Sequence, residues 1–215
     1  MTRAGARVHV KVCGVTTEDD ARMAVDAGAA AIGLNLVPAS PRRITRDRAA
    51  SIVSAVGDRA LVVLVVADLT VEEIRALLRD TGARCVQLHG DEPPELVQAL
   101  LPHAYKAVRV GDATDASRID AFPGEHVLAD ARLDGVLGGT GATFDWRLVA
   151  PVATRRRLTL AGGLGPDNVA RAIAVVRPFC VDVASGVEEA PGRKSAAKVA
   201  AFMRAVHAAP AGPAA

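Results

Sequence analysis

Aromatic side chains are almost missing from this sequence: one Trp, one Tyr and four Phe make up 3% of 215 residues. Its core must be filled by small aliphatic groups, and half of the chain is hydrophobic. Cysteine is scarce too. Cys13, Cys85 and Cys180 are odd in number and far apart, which argues against a disulfide framework and leaves no metal motif. Neither sign of charge prevails, with 26 Lys plus Arg against 24 Asp plus Glu. That balance gives no basis for a nucleic acid or membrane partner. No apolar run approaches the ~20 residues of a membrane span. The opening "MTRAGARVHV" has neither an apolar signal core nor a cleavage site, so a cytoplasmic protein is expected.

What the sequence does contain is alternation. Eight short apolar runs recur: "VHVKVCG", "AAIGLNLV", "ALVVLVVAD", "CVQLHG", "AYKAVRV", "HVLADA", "RLTLAGG" and "FCVDVASG". Each is continuous rather than alternating, as buried parallel strands are. Helix patterns lie between them. "TTEDDARMAVDAG", "TRDRAASIVSAVG" and "TVEEIRALLRDTG" open on Thr and close on Gly. "PDNVARAIAVV" carries Pro166 in its expected first turn, and "SAAKVAAFMRAVHAA" ends the pattern. Eight such units predict an α/β fold, a single (β/α)8 barrel over residues 1–207, with 208–215 a disordered tail. A doubly wound sheet competes less well, since no Gly-x-Gly-x-x-Gly follows the first strand. The longest connection, "RLDGVLGGTGATF", is expected to be a mobile active-site loop.

In such barrels chemistry gathers at the C-terminal strand ends. Cys85 and Cys180 start their strands and read as small buried hydrophobes. Cys13 ends its strand, as do His89, Asp130 and Asp68, and Asp182 lies just short of its own strand end. Two glycine-bearing turns, "AGGLGPDN" with Gly162 and Gly163 and "ASGVEEAPGRK" with Ser185 and Gly186, follow strands seven and eight. Backbone amides exposed there would cradle a phosphate. Phe144 and Trp146 are expected to dock the long loop rather than to bind a ligand.

Taken together, "KVCG", "SPRR", "VQLHGDE", "LADA", "GGTGATFDW", "AGGLGPDNV" and "VDVASGVEEAPGRK" resemble, in order and spacing, the phosphoribosylanthranilate isomerase family. The resemblance runs from about Val8 to Gly192. It implies an Amadori rearrangement of N-(5′-phosphoribosyl)anthranilate in tryptophan biosynthesis, with no cofactor and no metal. By position it implies Cys13 as general base, Asp130 as general acid and Arg42 as the anchor of the anthranilate carboxylate. Gly162, Gly163, Ser185 and Gly186 fall on phosphate-binding segments, and Gln87, His89 and Asp182 on polar residues of the pocket. Lys11, with the same strand parity as Cys13, is expected to favour its thiolate. The partner is a small phosphosugar, and monomer and homodimer both fit.

Four positions depart from the family pattern. Asn35 stands in place of an aromatic-rich segment, Asp68 would add a carboxylate, and Ala142 and Ala184 replace a common lysine and serine. A paralogue acting on a related aminosugar phosphate is therefore the alternative. A Schiff-base lyase or aldolase using Lys11 or Lys106 would need a free, desolvated amine. A phosphosugar-binding relative without activity would not need the Cys13/Asp130 pair.

Overall fold

A computed structural model describes residues 7–131 and 144–209. Eight parallel strands close a barrel in sequence order: β1 His9–Cys13, β2 Ala31–Asn35, β3 Leu61–Val66, β4 Cys85–Leu88, β5 Ala104–Val110, β6 His126–Ala131, β7 Arg157–Leu160 and β8 Cys180–Val183. Closure is made by β1 on β8, with Lys11 opposite Asp182. An open doubly wound sheet would leave these two edges unpaired. The helices are α1 Glu18–Asp26, α2 Arg46–Val56, α3 Val71–Thr81, α4 Pro94–Leu100, α5 Ala113–Ser117, α6 Ala150–Ala153, α7 Val169–Val176 and α8 Ala196–Ala208.

Local sequence explains the best-formed helices. Thr17, Thr45 and Thr70 each accept the backbone N–H three residues on, which satisfies a donor that the first turn leaves open. Thr70 and Glu73 complete a reciprocal capping box, and Gly82 ends α3 in the left-handed conformation with φ 73°. One expectation shifts. Pro166 precedes α7 instead of lying in its first turn, because Asn168 is the cap and its side chain is spent on the turn, accepting from Gly165 N and donating to Gly163 O. A short antiparallel hairpin, β9 Glu188–Ala190 with β10 Arg193–Lys194, follows β8 and was not anticipated. The tail beyond residue 209 and residues 132–143 of the long connection lie outside the described residues.

Strand alternation divides the apolar groups into two cores. One set, including Val12, Ile32, Leu34, Leu64, Leu88 and Leu158, points outward against the helices and is fully or almost fully buried. Burying each such side chain contributes about 1.5–3 kcal/mol. The opposite set points inward, where Val63, Tyr105, Ala107, Leu128 and Ala161 pack together, with Cys85 and Ala31 against them. The lone tyrosine lies in this interior, stacked on His126 with ring centroids 4.4 Å apart. Phe179 closes on the edge of His126, and Thr159 Oγ1 lies 2.7 Å from His126 Nε2. This plug seals the N-terminal end of the barrel and leaves the other end open.

The plug makes stability depend on pH. Burial, then the positive charges of Lys11, Arg157 and Arg156, lower His126 from 6.5 to about 4. An unfolded chain binds this proton near 6.5 and the native chain only near 4, so stability is lost as pH falls between those values. The expected loss is roughly 3 kcal/mol at most. Denaturant unfolding at several pH values checks it: the difference between the native chain and His126→Asn must change over that window. A constant difference would refute the assignment.

Candidate active site

The open end of the barrel holds a cavity of about 910 Å³, its mouth included. Cys13, Arg42, Gln87, His89, Asp130, Asp182, Gly162, Gly163 and Ser185 all line it. Gly186 does not; it packs against Leu164 and Gly165 of the neighbouring turn, where a Cβ would meet Leu164 O at 2.1 Å. The glycine thus lets the two turns touch, while Ser185 meets the cavity. Cys13 reaches its place because its β2 neighbour is Gly33. A Cβ there would stand 2.5 Å from Cys13 Sγ.

Beneath the cavity floor lies a buried ammonium. Lys11 Nζ is 2.7 Å from Asp182 Oδ2 and 2.8 Å from Gln87 Oε1. Tyr105 donates to the same Gln87 oxygen at 3.0 Å. Gln87 Nε2 is 2.8 Å from His89 Nδ1, and His89 Nε2 lies 3.4 Å from Asp130 Oδ2. Asp130 Oδ1 accepts from Ala131 N at 3.0 Å. Asp182 Oδ1 is buried without a protein partner, an acceptor left over in the cavity wall. Burial opposes the charge on Lys11, but Asp182 and then Cys13 hold it well above its usual range.

Cys13 does not have the low pKa expected of it. Burial, and then the Asp182 carboxylate, push the thiol up from 9.0, outweighing Lys11 and Lys194. Lys11 does lie beside the sulfur, as its strand parity implied, but its charge is largely answered by Asp182. Cys13 rests as a thiol. Burial pushes Cys85 and Cys180 up as well, each to about 12, in keeping with their reading as buried hydrophobes.

Arg42 also differs from its sequence reading. Its guanidinium is 8% exposed, and its Nε and Nη2 edge is closed on Glu188 at 2.8 and 2.7 Å. The bidentate edge expected to grip a ligand carboxylate is therefore occupied, and Nη1 is the nitrogen left for one. Glu188 is shared with Lys194, whose Nζ also reaches Cys13 O at 2.5 Å and Ala184 O at 3.2 Å. Burial pushes Glu188 up, but hydrogen bonds from Arg42 and Lys194 outweigh it and leave it lowered. Sequence reasoning missed Glu188, Lys194 and Tyr105. The first two stand in the "ASGVEEAPGRK" segment among charges that read as solvated.

The remaining candidates sort cleanly. Asp68 adds no carboxylate to the cavity wall. It adopts φ 56°, and its Oδ1 takes the Asp91 N–H at 2.7 Å. Asn35 and Ala184 do line the cavity, and Asn35 Oδ1 accepts from Val37 N at 2.9 Å. Ala142 lies outside the described residues. Lys106 faces away from the cavity, tied to Glu92 at 3.0 Å and to three carbonyls. Neither Lys106 nor the paired Lys11 is the free amine that Schiff-base chemistry requires. Among the described residues, no cluster of His, Cys, Asp and Glu could hold a metal ion, and no helix is long and apolar enough to cross a membrane.

A closed (β/α)8 barrel with a thiol, a carboxylic acid, an arginine and glycine-rich turns around one cavity defines an acid–base enzyme for a small anionic ligand. The sequence relationship is specific. The family described as N-(5′-phosphoribosyl)anthranilate (PRA) isomerase matches residues 10–205, and the chain belongs to it. A protein named N-(5′-phosphoribosyl)anthranilate isomerase from Geobacter sulfurreducens is 43% identical over 201 residues, 92% of this chain and 97% of that one. One of the same name from Myxococcus xanthus is 44% identical over 202 residues, 92% and 95% of the two chains. The crystal structure of phosphoribosyl anthranilate isomerase from Thermotoga maritima superposes with a TM-score of 0.85 at 37% identity, covering 93% of this chain and 98% of that one. A complex with reduced 1-(o-carboxyphenylamino)-1-deoxyribulose 5-phosphate gives a TM-score of 0.82 at 36% identity and the same coverage.

The thiol environments predict an order of reaction. Cys13 alone among the three lines the cavity, so a small alkylating reagent is expected to modify it first. Cys85 and Cys180 should react only on unfolding. Because the Cys13 pKa is raised, its rate should keep climbing beyond pH 9.0. Mapping the modified peptide by mass spectrometry at several pH values checks both points. Modification saturating near neutral pH would show a thiolate instead.

Proposed function

We propose that this protein catalyses the Amadori rearrangement of N-(5′-phosphoribosyl)anthranilate to 1-(2-carboxyphenylamino)-1-deoxyribulose 5-phosphate, in tryptophan biosynthesis. The observation that carries this reading is the meeting of Cys13 and Asp130, from β1 and β6, in one cavity with Arg42 and the Gly162–Gly163 and Ser185 turns. Family membership supports it.

The residue types fit the steps. The phosphate would lie on the turns after β7 and β8, where glycine admits close approach of backbone amides. Nη1 of Arg42 would hold the anthranilate carboxylate by a charge-assisted hydrogen bond. Asp130 gives its proton to the furanose ring oxygen. The C1′–O bond breaks, and the nitrogen lone pair forms the C1′=N iminium. Cys13, as thiolate, takes the C2′ proton. The C2′–H electrons become the C1′=C2′ bond, and the iminium electrons return to nitrogen. The resulting enolamine tautomerises to the ketone.

The raised thiol gives ring opening a second use. An iminium places a full positive charge beside the sulfur, acting against burial and Asp182, so that the thiol gives its proton to water at the cavity mouth and stands as thiolate when it is needed. Asp182 Oδ1, the unpaired acceptor, would take a hydroxyl of the opened sugar. Asn35, the clearest departure from the family pattern within the cavity wall, would turn its free amide hydrogens toward the substrate. A paralogue for another aminosugar phosphate would have to differ here.

The direct test generates the substrate in situ and follows loss of its fluorescence. Rapid loss is expected with the native chain. Cys13→Ala and Asp130→Asn should each fall by about 10²-fold or more, the usual range for a lost general acid or base. No loss with folded native protein would overturn the reading. A graded effect is expected at Gly33→Ala: its Cβ displaces the Cys13 sulfur, and a misplacement of about 1 Å costs on the order of 10²-fold. Full turnover in that variant would show that Cys13 need not occupy this position.

A further inference from the structure

The chain of polar groups beneath the cavity has a direction, and it is set by the one member that cannot accept a hydrogen bond. An ammonium has donors only. The Lys11 Nζ at 2.8 Å therefore requires the facing atom of the Gln87 amide to be its oxygen. The Tyr105 hydroxyl at 3.0 Å donates to the same oxygen, and its ring is fixed by the stack on His126. The Gln87 NH2 group must then point the other way, onto His89 Nδ1 at 2.8 Å. A ring nitrogen that accepts a hydrogen bond carries no proton. Neutral imidazole must place its single proton on Nε2, and Nε2 is the nitrogen 3.4 Å from Asp130 Oδ2.

We infer that Lys11, Tyr105 and Gln87 form a tautomer lock, which holds His89 neutral with its proton on Nε2 so that the acid proton of Asp130 can be delivered only into the cavity. The inference rests on the isomerase reading of Asp130, and it assigns Gln87 and His89 as positioning residues. Two donors flank the carboxyl group, Nε2–H of His89 at Oδ2 and the Ala131 N–H at Oδ1. A protonated Asp130 finds no acceptor in either, so its O–H must turn toward the substrate ring oxygen. Once that proton has gone, both donors face a full carboxylate: the Ala131 hydrogen bond strengthens, and Nε2–H of His89, 3.4 Å away, is drawn toward the developing charge. A His89 with the other tautomer would present a lone pair to Asp130 and capture the proton instead. Arg109, whose Nη2 donates to the His89 carbonyl at 3.1 Å, fixes the backbone from which the ring projects.

The lock is tested on the full chain labelled with 15N at histidine, by long-range proton–nitrogen correlation, with the His89 signals assigned by their loss in His89→Gln. His89 is expected to show an unprotonated Nδ1 and a protonated Nε2 in the free protein. In Gln87→Glu the facing group becomes an acceptor, so Nδ1 should gain a proton, and kcat should fall about tenfold or more with KM little changed. His89→Gln, which can still offer an N–H to Asp130, should retain more activity than His89→Leu. A native spectrum with the proton on Nδ1 would overturn the lock, whatever the variants do. So would a Gln87→Glu protein with that proton moved and kcat unaltered. Absence of turnover in the native chain would sink the isomerase reading instead, and the spectrum separates the two failures.

Discussion

An ammonium group held in the middle of a closed barrel is the constraint on which the rest of the site depends. Lys11 is 2% exposed. A charge removed from water to that degree costs several kcal/mol unless it is matched. The match is supplied from across the barrel seam. Asp182 stands opposite Lys11 in the β1–β8 register, so the pair that neutralises the charge also bridges the strands that close the barrel. The second ligand to the ammonium, Gln87, extends the demand across the interior to β4. Three strands are thereby committed to particular side chains at one level, with Tyr105 of β5 joining through Gln87. The layer above is free to carry chemistry because the charges of this layer are already paired, with Asp182 Oδ1 left over as an acceptor.

That arrangement explains why the sulfur is not simply activated by its neighbouring cation. A lone lysine beside Cys13 would draw its proton off, as the strand parity of Lys11 suggests. The fold cannot leave such a lysine alone. Asp182, which makes the burial of Lys11 tolerable, places its own negative charge near the thiol and cancels much of the benefit. On the proposed mechanism, the net effect is a base held in reserve. Its activation then falls to a charge that exists only after the first chemical step. An enzyme that opens its substrate before it removes the C2′ proton has use for such an order, since a resident thiolate at the open cavity would be exposed to oxidation and alkylation throughout.

The legible and illegible parts of the sequence divide along the same line. Parallel strands are buried on both faces, so they appear as continuous apolar runs, and all eight could be located together with their C-terminal ends. That was enough to bring Cys13, His89 and Asp130 to one end of the barrel. Threonine caps and terminal glycines carried α1 to α3 in the same local way. Pairing between distant charges is not local, and there the reading fell short. Glu188 and Lys194 look like surface charges in a polar loop, yet both are buried, because Glu188 is the partner of Lys194 and of Arg42 at once. Asp68 looks like a strand-end carboxylate aimed at the cavity. Its left-handed backbone turns it into a ligand for the Asp91 amide, a conformation that Asp tolerates better than most residues. Pro166 fits the first turn of a helix by type, but Asn168 decides where that helix starts.

The Arg42–Glu188–Lys194 cluster then acquires a meaning beyond neutrality. Arg42 belongs to the loop after β2, Glu188 and Lys194 to the hairpin after β8, and Lys194 also holds the backbone carbonyl of Cys13 at the end of β1. Loops at a barrel mouth are ordinarily the least constrained part of such a fold. Here two of them are joined to each other and to the end of β1 by charges of which none exceeds 8% exposure. Taking away Glu188 would leave two buried cations without a counter-charge, a loss of several kcal/mol. Glu188 fixes the azimuth of the guanidinium by occupying its Nε and Nη2 edge, which leaves Nη1 as the direction in which Arg42 can reach. On the proposed reading of Arg42 as the carboxylate anchor, precision there comes from a second, internal carboxylate. The anion the protein already contains determines where the anion it binds can lie.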